Sequence, residues 1–487
     1  MIEYRTIVAR QGLAALGLLG LLALPGPVLA SVSQQVVASG PRERVTSGRA
    51  GEEVTFTKHV APILQANCEV CHRPGSIAPM ALRTYEEVRR YASRVRDRVA
   101  SRAMPPWPLD RSIGIQDFKN DMSLSDEEVA TIVRWVDEGA PQGDQADMPR
   151  ALEWPDYADS WMLAPRFGRP DIVVTTEDYT VPAEGLDQWF SSEVPIPVDM
   201  VDGQRWIRAV EIRPSTPDAA YVFHHGNSNL RQADEDGTSE GTALIGAAVG
   251  KMYDILPPDA GLKLYPGATV STEIHYFPVG REVGQATMDI GIYLYPEGEV
   301  PRFETVGSST VWADGTARSD GAWAKIPAID ASGVRAVDIF IPPNSTQMLQ
   351  GRWLVQQPTR IHSIRGHLHL RGKYQIIEAI YPDGRQEVLN KLDWQHRWHT
   401  DFVYEDLAAP LLPKGTIVIL TSFYDNTADN PSNPDPNQLV VFGRRSVDEM
   451  SHFWIGRTYF SDEEFEELVA ERQRLLAQRP VAQQEQE

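Results

Sequence analysis

From Asp171 onward, short runs of β-branched and aromatic residues alternate with clusters of Pro, Gly, Asn and Asp. Runs such as DIVVTTEDYTV, QRWIRAVEIRP, MDIGIYLYP and GTIVILTSFYDN are typical of strands bounded by turns. Many short strands at regular spacing favour antiparallel sandwiches. The pattern therefore predicts an all-β antiparallel architecture up to about residue 460, preceded by a Pro- and Asp-rich linker over residues 146–170.

Helical patterns occur near the two ends of the chain. In LSDEEVATIVRWVDEGAP, Ser125 is a candidate N-cap, Glu128 follows three residues later, and the valines and isoleucine form an apolar stripe. The run SDEEFEELVAERQRLLAQRP predicts a surface helix that leads into a disordered tail, so residues 461–487 are assigned as a helical or disordered tail.

The N-terminus predicts export. A short basic start, an apolar run from Leu13 to Leu24, a Pro-Gly-Pro break and the small-residue exit VLA predict a signal peptide over residues 1–30, followed by a linker over 31–50. A retained membrane anchor is the alternative, but the run is shorter than the ~20 residues of a spanning helix. We expect a periplasmic or secreted bacterial protein with no membrane span after signal removal.

Composition limits the classes of partner. The 487 residues suggest roughly three folded units, and the net charge of −21 argues against nucleic-acid binding. Against this acidic balance, RTYEEVRRYASRVRDRVASR concentrates arginine on one helix. It is either an ordinary solvated face or a docking surface for an acidic electron-transfer partner.

The chain has two cysteines, Cys68 and Cys71, and His72 follows at once in NCEVCHRPG. C-x-x-C-H is the attachment signature of c-type haem, in which the thiols form thioethers and the histidine is an axial ligand. A thioredoxin-like pair would need a βαβ context and a zinc site would need two more ligands nearby. The motif therefore predicts haem c in a small all-α class I cytochrome c domain over residues 51–145.

A sixth haem ligand is expected downstream of the motif. Met104, in ASRAMPPWPL, resembles the distal-methionine loop of small bacterial cytochromes c and is our candidate. Met80, Met122 and His59 are rivals, although methionines more often fill cores and His59 lies at a predicted helix start.

Five of the eleven histidines fall in three strand-like motifs: His224 and His225 in VFHHGN, His275 in TEIHYF, and His367 and His369 in RGHLHLRGK. Imidazoles suit copper, zinc and non-haem iron. Residues two apart on a strand share a face, so the last pair can bind one ion jointly. The adjacent first pair needs a bulge or a strand end to do so.

The order His-His, IHY, H-x-H followed by Gly-Lys, then DEM, resembles the copper type II, ascorbate-dependent monooxygenases, the family of peptidylglycine α-hydroxylating monooxygenase and dopamine β-monooxygenase. The resemblance implies two jelly-roll domains, here 171–330 and 331–460, facing each other across an open cleft with one copper each. It assigns His224, His225 and His275 to an electron-transfer copper. It assigns His367, His369 and Met450 to the copper that activates O2.

Several residues depart from the family pattern. The animal enzymes have disulfides, for which this chain has no cysteines left. Arg365 matches an arginine that grips a peptide carboxylate, but His452 and Trp454 replace its companions and Glu273 replaces a glutamine, so a peptide substrate is not implied. Arg365 and His452 remain candidate substrate residues. The remaining histidines, His362, His396, His399 and His452, are interpreted as structural, and His452 is the first candidate for an exception because it lies beside Met450.

These patterns predict an exported haem- and copper-dependent monooxygenase that hydroxylates a C–H bond of a small organic or peptide substrate with O2. A periplasmic electron donor is expected to reduce the coppers through the haem, entering at the first copper, with ascorbate as an alternative external reductant. A periplasmic electron-transfer or copper-binding protein without oxygenase activity is the competing interpretation. A zinc-bound structural or carbohydrate-binding sandwich is disfavoured by the attached haem motif.

Overall fold

The computed structural model describes residues 53–74, 76, 78–154, 161–185, 188–233, 241–248, 251–312, 339–443 and 445–478. The predicted signal peptide (1–30) and the linker that follows it (31–50) lie outside these residues, as does the end of the predicted tail.

The helices are few and lie mostly toward the chain ends. They are α1 Ala61–Asn67, α2 Tyr85–Ala100, α3 Asp126–Asp137, α4 Ala164–Phe167, α5 Pro217–Val222 and α6 Asp462–Ala477, with a π-helical turn at Phe56–Val60 before α1 and a 3₁₀ turn at Gln145–Asp147. The predicted capping box of α3 is confirmed, because the Ser125 hydroxyl accepts from the Glu128 N–H and the Glu128 carboxylate accepts from the Ser125 N–H. No helix among the described residues combines the length and apolar character needed to cross a membrane.

The strands contain about twice as many of the described residues as the helices do, which confirms the predicted β-rich character. In the first part they are β1 Leu109–Gly114, β2 Ile172–Thr175, β3 Gln188–Pro195, β4 Arg205–Pro214, β5 Phe223–Arg231, β6 Gly241–Ala248, β7 Tyr253–Ile255, β8 Ala260–Leu264, β9 Thr269–Tyr276, β10 Met288–Leu294 and β11 Phe303–Trp312. The remaining strands are β12 Phe340–Ile341, β13 Thr346–Leu354, β14 Thr359–His367, β15 Gly372–Ile380, β16 Gln386–Asp393, β17 Phe402–Val403, β18 Leu411–Leu412, β19 Ile417–Asp425, β20 Val440–Val441 and β21 His452–Tyr459.

Four sheets result. Their strand orders are β3-β9-β5-β6, β1-β16-β15-β19-β13, β12-β20, and a long sheet β17-β14-β21-β11-β8-β4-β10-β2 in which β18 and β7 pair with β14 and β4. Burial follows position in the sheet: β10 is buried along its whole length between β2 and β4, whereas β13, at an edge, alternates between its faces.

Two separate cores lie between these sheets. We call residues 172–294 the first β region and residues 339–459 the second β region; each has its own cluster of buried apolar side chains. Strand β11 joins them, since it pairs with β8 on one side and β21 on the other. Hydrogen-bonded strand pairing therefore continues from the first β region into the second.

The helices α1 to α3 share a third core, which includes Ile63, Val88 and Trp135. The segment between α2 and α3 leaves that core. Its strand β1 pairs with β16, and Trp107 and Phe118 are buried in the core of the second β region. Part of the range predicted for the haem domain therefore packs as a component of the second β region.

Candidate metal centres

The histidines of the first β region come from two paired strands. His224 and His225 open β5, directly after α5, and His275 lies near the end of β9. His225 pairs with His275 across the ladder, and the register shifts between Phe223 and His225. This irregularity lets two consecutive imidazoles approach the same neighbour, which a regular strand would not allow.

The ring nitrogens of these three residues converge. Nδ1 of His275 lies 3.3 Å from Nδ1 of His224 and 3.1 Å from Nε2 of His225. Two nitrogens bound to one tetrahedral ion at 2.0–2.1 Å are about 3.4 Å apart. The three side chains are 4–8 % exposed, and Trp189 stacks on the ring of His275 with centroids 4.4 Å apart. The spacing fits a shared metal ion.

In the second β region, His367 ends β14 and His369 follows two residues later, with ring centroids 5.1 Å apart. Nδ1 of His369 lies 3.2 Å from the carbonyl oxygen of Asp448. A proton on Nδ1 that is donated to this carbonyl leaves Nε2 as the atom available to a metal. The Trp394 indole N–H donates to the His369 carbonyl at 2.9 Å.

Met450 is held near His369 through the backbone that precedes it. The buried carboxylate of Glu449 accepts the N–H of His369 at 2.8 Å and the N–H of Arg371 at 2.6 Å. The hydroxyl of Tyr424 donates to the Met450 carbonyl at 2.8 Å. The segment that carries Met450 is therefore anchored on the backbone of the predicted ligand His369.

Burial sets the charge state of the imidazoles. It lowers the pKa of His225 and of His367 well below the usual value, and neighbouring imidazoles lower both pKa values further. Burial also lowers the pKa of His369 to about 4. Metal binding requires the neutral ring, so these residues are in the ligand form at pH 7 without losing a proton.

His399, which the sequence analysis interpreted as structural, lies among the predicted metal ligands. Ring nitrogens of His224, His225 and His399 all lie within 4.8 Å of one another, and all three residues are buried. Nδ1 of His399 also lies 3.3 Å from Nδ1 of His367. His399 lies in the loop between β16 and β17, outside any strand motif. The concentration of ring side chains in DWQHRWHT was the available signal for it.

The two groups of histidines touch. The ring of His225 stacks on that of His399 at 4.4 Å and 22°, and its centroid lies 6.4 Å from that of His367. The resemblance implies two sites facing each other across an open cleft. Between these side chains the structure has direct ring contacts instead.

The two predicted substrate residues lie beside the same cluster. The Arg365 side chain donates to Asn227 of the first β region at 2.8 Å, lies 3.5 Å from the Asp401 carboxylate and covers the Trp454 ring at 4.3 Å. A substrate carboxylate would therefore compete with Asp401 for the Arg365 guanidinium. His452 pairs across the strands with His367 and their rings are 5.4 Å apart.

The haem-attachment motif forms a turn after α1. Cys68 and Cys71 are not joined in a disulfide, and burial raises the pKa of Cys68 to about 12 and that of Cys71 to about 11. Such thiols disfavour a thiolate metal site. Nδ1 of His72 lies 3.1 Å from the Met80 carbonyl oxygen, a contact that leaves Nε2 for an axial bond. The motif fits a covalently attached haem.

The candidate sixth ligand is placed differently from its rivals. Met104 lines a cavity of about 690 Å³, to whose wall Asp393 of the second β region contributes; His72 is not among the residues that line it. Met80 packs against the core of α1 to α3, and Met122 packs against the core of the second β region. The structure thus does not bring Met104 and His72 together in this cavity.

The segment after Met104 approaches the second group of histidines. The Asp393 N–H donates to the Pro108 carbonyl at 2.9 Å, and the next residue, Trp394, contacts the His367 ring with centroids 5.8 Å apart. Electrons were expected to enter at the first copper. The packing places this segment next to the second β region, and the entry of electrons at the first copper stays a prediction.

No protein-family model matches the sequence, and no curated protein matches it. The tandem CBM22-1–CBM22-2 domain of Paenibacillus barcinonensis Xyn10C aligns at 7 % identity and a TM-score of 0.15, over 60 % of this chain and 94 % of that one. A Paenibacillus xanthan lyase aligns at 9 % and 0.14, over 58 % and 25 %. Procruciferin, an 11S globulin of Brassica napus, aligns at 9 % and 0.13, over 61 % and 78 %. Such TM-scores do not indicate a shared fold, so function must be argued from the geometry of the chain itself.

Proposed function

We propose that this chain is an exported, haem- and copper-dependent monooxygenase that hydroxylates a C–H bond of an organic substrate with O2. In this proposal a small cytochrome c domain precedes two jelly-roll sandwiches of the copper type II, ascorbate-dependent monooxygenase kind. The overall reaction consumes O2, two electrons and two protons, inserts one oxygen atom into the substrate and releases the other as water.

The observation that carries the proposal is the convergence of imidazoles from separate strands. Nδ1 of His275 lies 3.3 Å from Nδ1 of His224 and 3.1 Å from Nε2 of His225. A second group with His367 and His369 lies beside them. Both groups are neutral-donor sets, which suit copper.

The haem motif supports the redox part of the proposal. Cys68 and Cys71 would hold the haem through thioethers, and His72, oriented by the Met80 carbonyl, would bind its iron. Met104 remains our candidate for the second side chain that would bind the iron. The attachment of a one-electron carrier to a chain with two candidate copper groups is what a two-electron oxygenase needs.

When bound, the coppers would supply one-electron redox chemistry and O2 activation, and the haem would supply electrons. The protein side chains have other tasks. Burial keeps the imidazoles of His225 and His367 neutral and ready to bind, because it lowers the pKa of each. The Asp448 carbonyl and the Glu449 carboxylate orient the ring and the backbone of His369.

Bulky aromatic rings exclude water from these groups. Trp394 and Trp454 contact the ring of His367 with centroids 5.8 and 5.4 Å away, and Phe277 covers that of His224 at 4.3 Å. The pairing of Arg365 with Asp401 favours a substrate without a carboxylate at this position. We therefore place neutral or cationic organic molecules before peptides with a free C-terminus.

The test is copper-dependent hydroxylation by the full exported chain with ¹⁸O2. Aliphatic amines, aromatics and amidated peptides serve as the substrate panel, and mass spectrometry detects the product. We expect one ¹⁸O atom in the product with copper and none without it. His369→Ala should abolish product, while His362→Gln, a change in the same strand β14 outside the ring contacts, should not.

Full activity in His369→Ala would contradict the assignment of the second site. Copper-dependent oxidation of the haem by an added acceptor, with no O2 consumed and with Met450→Leu behaving as wild type, would favour the electron-transfer interpretation instead.

A further inference from the structure

His399 belongs to the second β region but lies among histidines of both. It is 6 % exposed, and its ring makes an edge contact with His224 at 5.3 Å and a stacked contact with His225 at 4.4 Å. Its Nδ1 faces Nδ1 of His367 at 3.3 Å. The rings of predicted ligands from both sites, together with Trp394, therefore surround the His399 ring.

The positions of the nitrogens suit coordination. The ligand atoms of His224, His225 and His399 lie within 4.8 Å of one another. Nitrogens bound to one tetrahedral ion, with bonds of 2.0–2.1 Å, are about 3.4 Å apart. Movements of less than about 1 Å therefore bring all three to one ion. Nδ1 of His275, which lies 3.3 Å from Nδ1 of His224 and 3.1 Å from Nε2 of His225, supplies a fourth nitrogen.

The side chains around His399 suit a soft or borderline cation. His399 is buried, and its ring lies against those of His224, His225 and His367. Imidazole nitrogens are donors that suit copper.

The contact with His367 orients the ring. One proton between the two Nδ1 atoms, 3.3 Å apart, is donated by one ring to the other. The donating ring keeps an unprotonated Nε2, so His399 as donor presents Nε2 as its ligand atom. His367 must then break this contact before it binds an ion through its own Nε2.

We infer that His399 is a fourth ligand of the first metal site, so that one ion held by His224, His225, His275 and His399 ties the two β regions together. This inference rests on the proposed function for the identity of the metal as copper. It adds a ligand that the resemblance does not assign and makes the first site dependent on the second β region.

The test is copper affinity in a background where the second site is disabled by His369→Gln with Met450→Leu. The full chain is titrated with Cu(II) against a competing chelator, and pulsed EPR counts the coordinated imidazoles. Adding His399→Gln should weaken the remaining site by at least about tenfold and lower the imidazole count by one. His362→Gln, the matched control, should change neither. Thermal melting of each metal-free variant shows whether the chain is still folded.

If His399→Gln unfolds the chain, the imidazole count of the background itself decides: four imidazoles support the inference and three overturn it. An unchanged copper affinity and imidazole count in the His399→Gln variant would also overturn the inference. So would an effect of His399→Gln that appears only when His275 is changed to Gln as well. A wild-type chain that binds copper but never consumes O2 would count against the proposed function and would leave the assignment of His399 as a ligand unaffected. A wild-type chain that binds no copper would overturn both.

Discussion

The first and second groups of histidines are built in different ways. In the first group the imidazoles contact one another: His225 and His275 are cross-strand partners, and Nδ1 of His275 lies 3.3 Å from Nδ1 of His224 and 3.1 Å from Nε2 of His225. In the second group the ring centroids of His367 and His369 are 5.1 Å apart, about as in the first group, but His369 is held by other partners: its Nδ1 contacts the Asp448 carbonyl oxygen and its backbone N–H donates to the Glu449 carboxylate. Paired strands therefore organise the first group, whereas a strand end and the loop around Glu449 organise the second.

The largest effect should come from breaking the strand-paired group. His275→Ala removes the nitrogen that lies between those of His224 and His225, so we expect the loss of one of two bound coppers. Copper content by mass spectrometry, at a chelator concentration that leaves the wild type loaded, measures this. Retention of two coppers would show that the first group does not bind metal as a unit.

Copper binding at the second group should depend on supporting residues such as Glu449 more strongly than copper binding at the first group does. Glu449→Ala leaves the backbone N–H groups of His369 and Arg371 buried without an acceptor, at a cost of about 2–4 kcal/mol in the free energy of unfolding. We also expect second-site copper affinity to fall by about 10–100-fold, with the first site unchanged. Urea unfolding and copper titration are the measurements. Equal losses at both sites would contradict the distinction.

The ion pair beside the two groups provides a smaller test. Asp401→Asn removes the carboxylate that lies 3.5 Å from Arg365 and 3.7 Å from Lys251. Leaving these buried cations without that charge should destabilise the chain by about 1–3 kcal/mol. If Arg365 instead awaits a substrate carboxylate, the same change should raise affinity for anionic substrates, which binding assays with carboxylated and amidated peptides would reveal.

The smallest effect concerns a histidine outside both groups. Burial lowers the pKa of His362 to about 3, and the nearby Arg360, Lys119 and Lys251 lower it further. The unfolded chain binds a proton near pH 6.5 that the folded chain does not, so stability is lost as the pH falls below about 6.5. Because this side chain keeps part of its surface in solvent, we expect about 1 kcal/mol between pH 8 and pH 5. His362→Gln should remove that loss; an unchanged pH profile would contradict it.

Local sequence patterns predicted some of these features and missed others for identifiable reasons. The capping boxes at Ser125 and Ser461 are local signals, and both helices begin where the pattern indicates. The docking of Trp107 against the second core depends on pairing between segments nearly 300 residues apart, which periodicity does not encode. His399 lies in a loop, where spacing carries no information about facing side chains. The domain boundaries, and the cytochrome and copper assignments, stay predictions.

The most direct test of the central claim is reoxidation of the chemically reduced chain by O2, followed by stopped-flow absorption of the haem. Copper-free and copper-reconstituted protein are compared under the same conditions, and the His275→Ala variant serves as a control. We predict faster haem reoxidation with copper and a loss of that acceleration in the variant. Equal rates with and without copper would contradict the claim that haem and copper groups act in one oxygen-consuming enzyme.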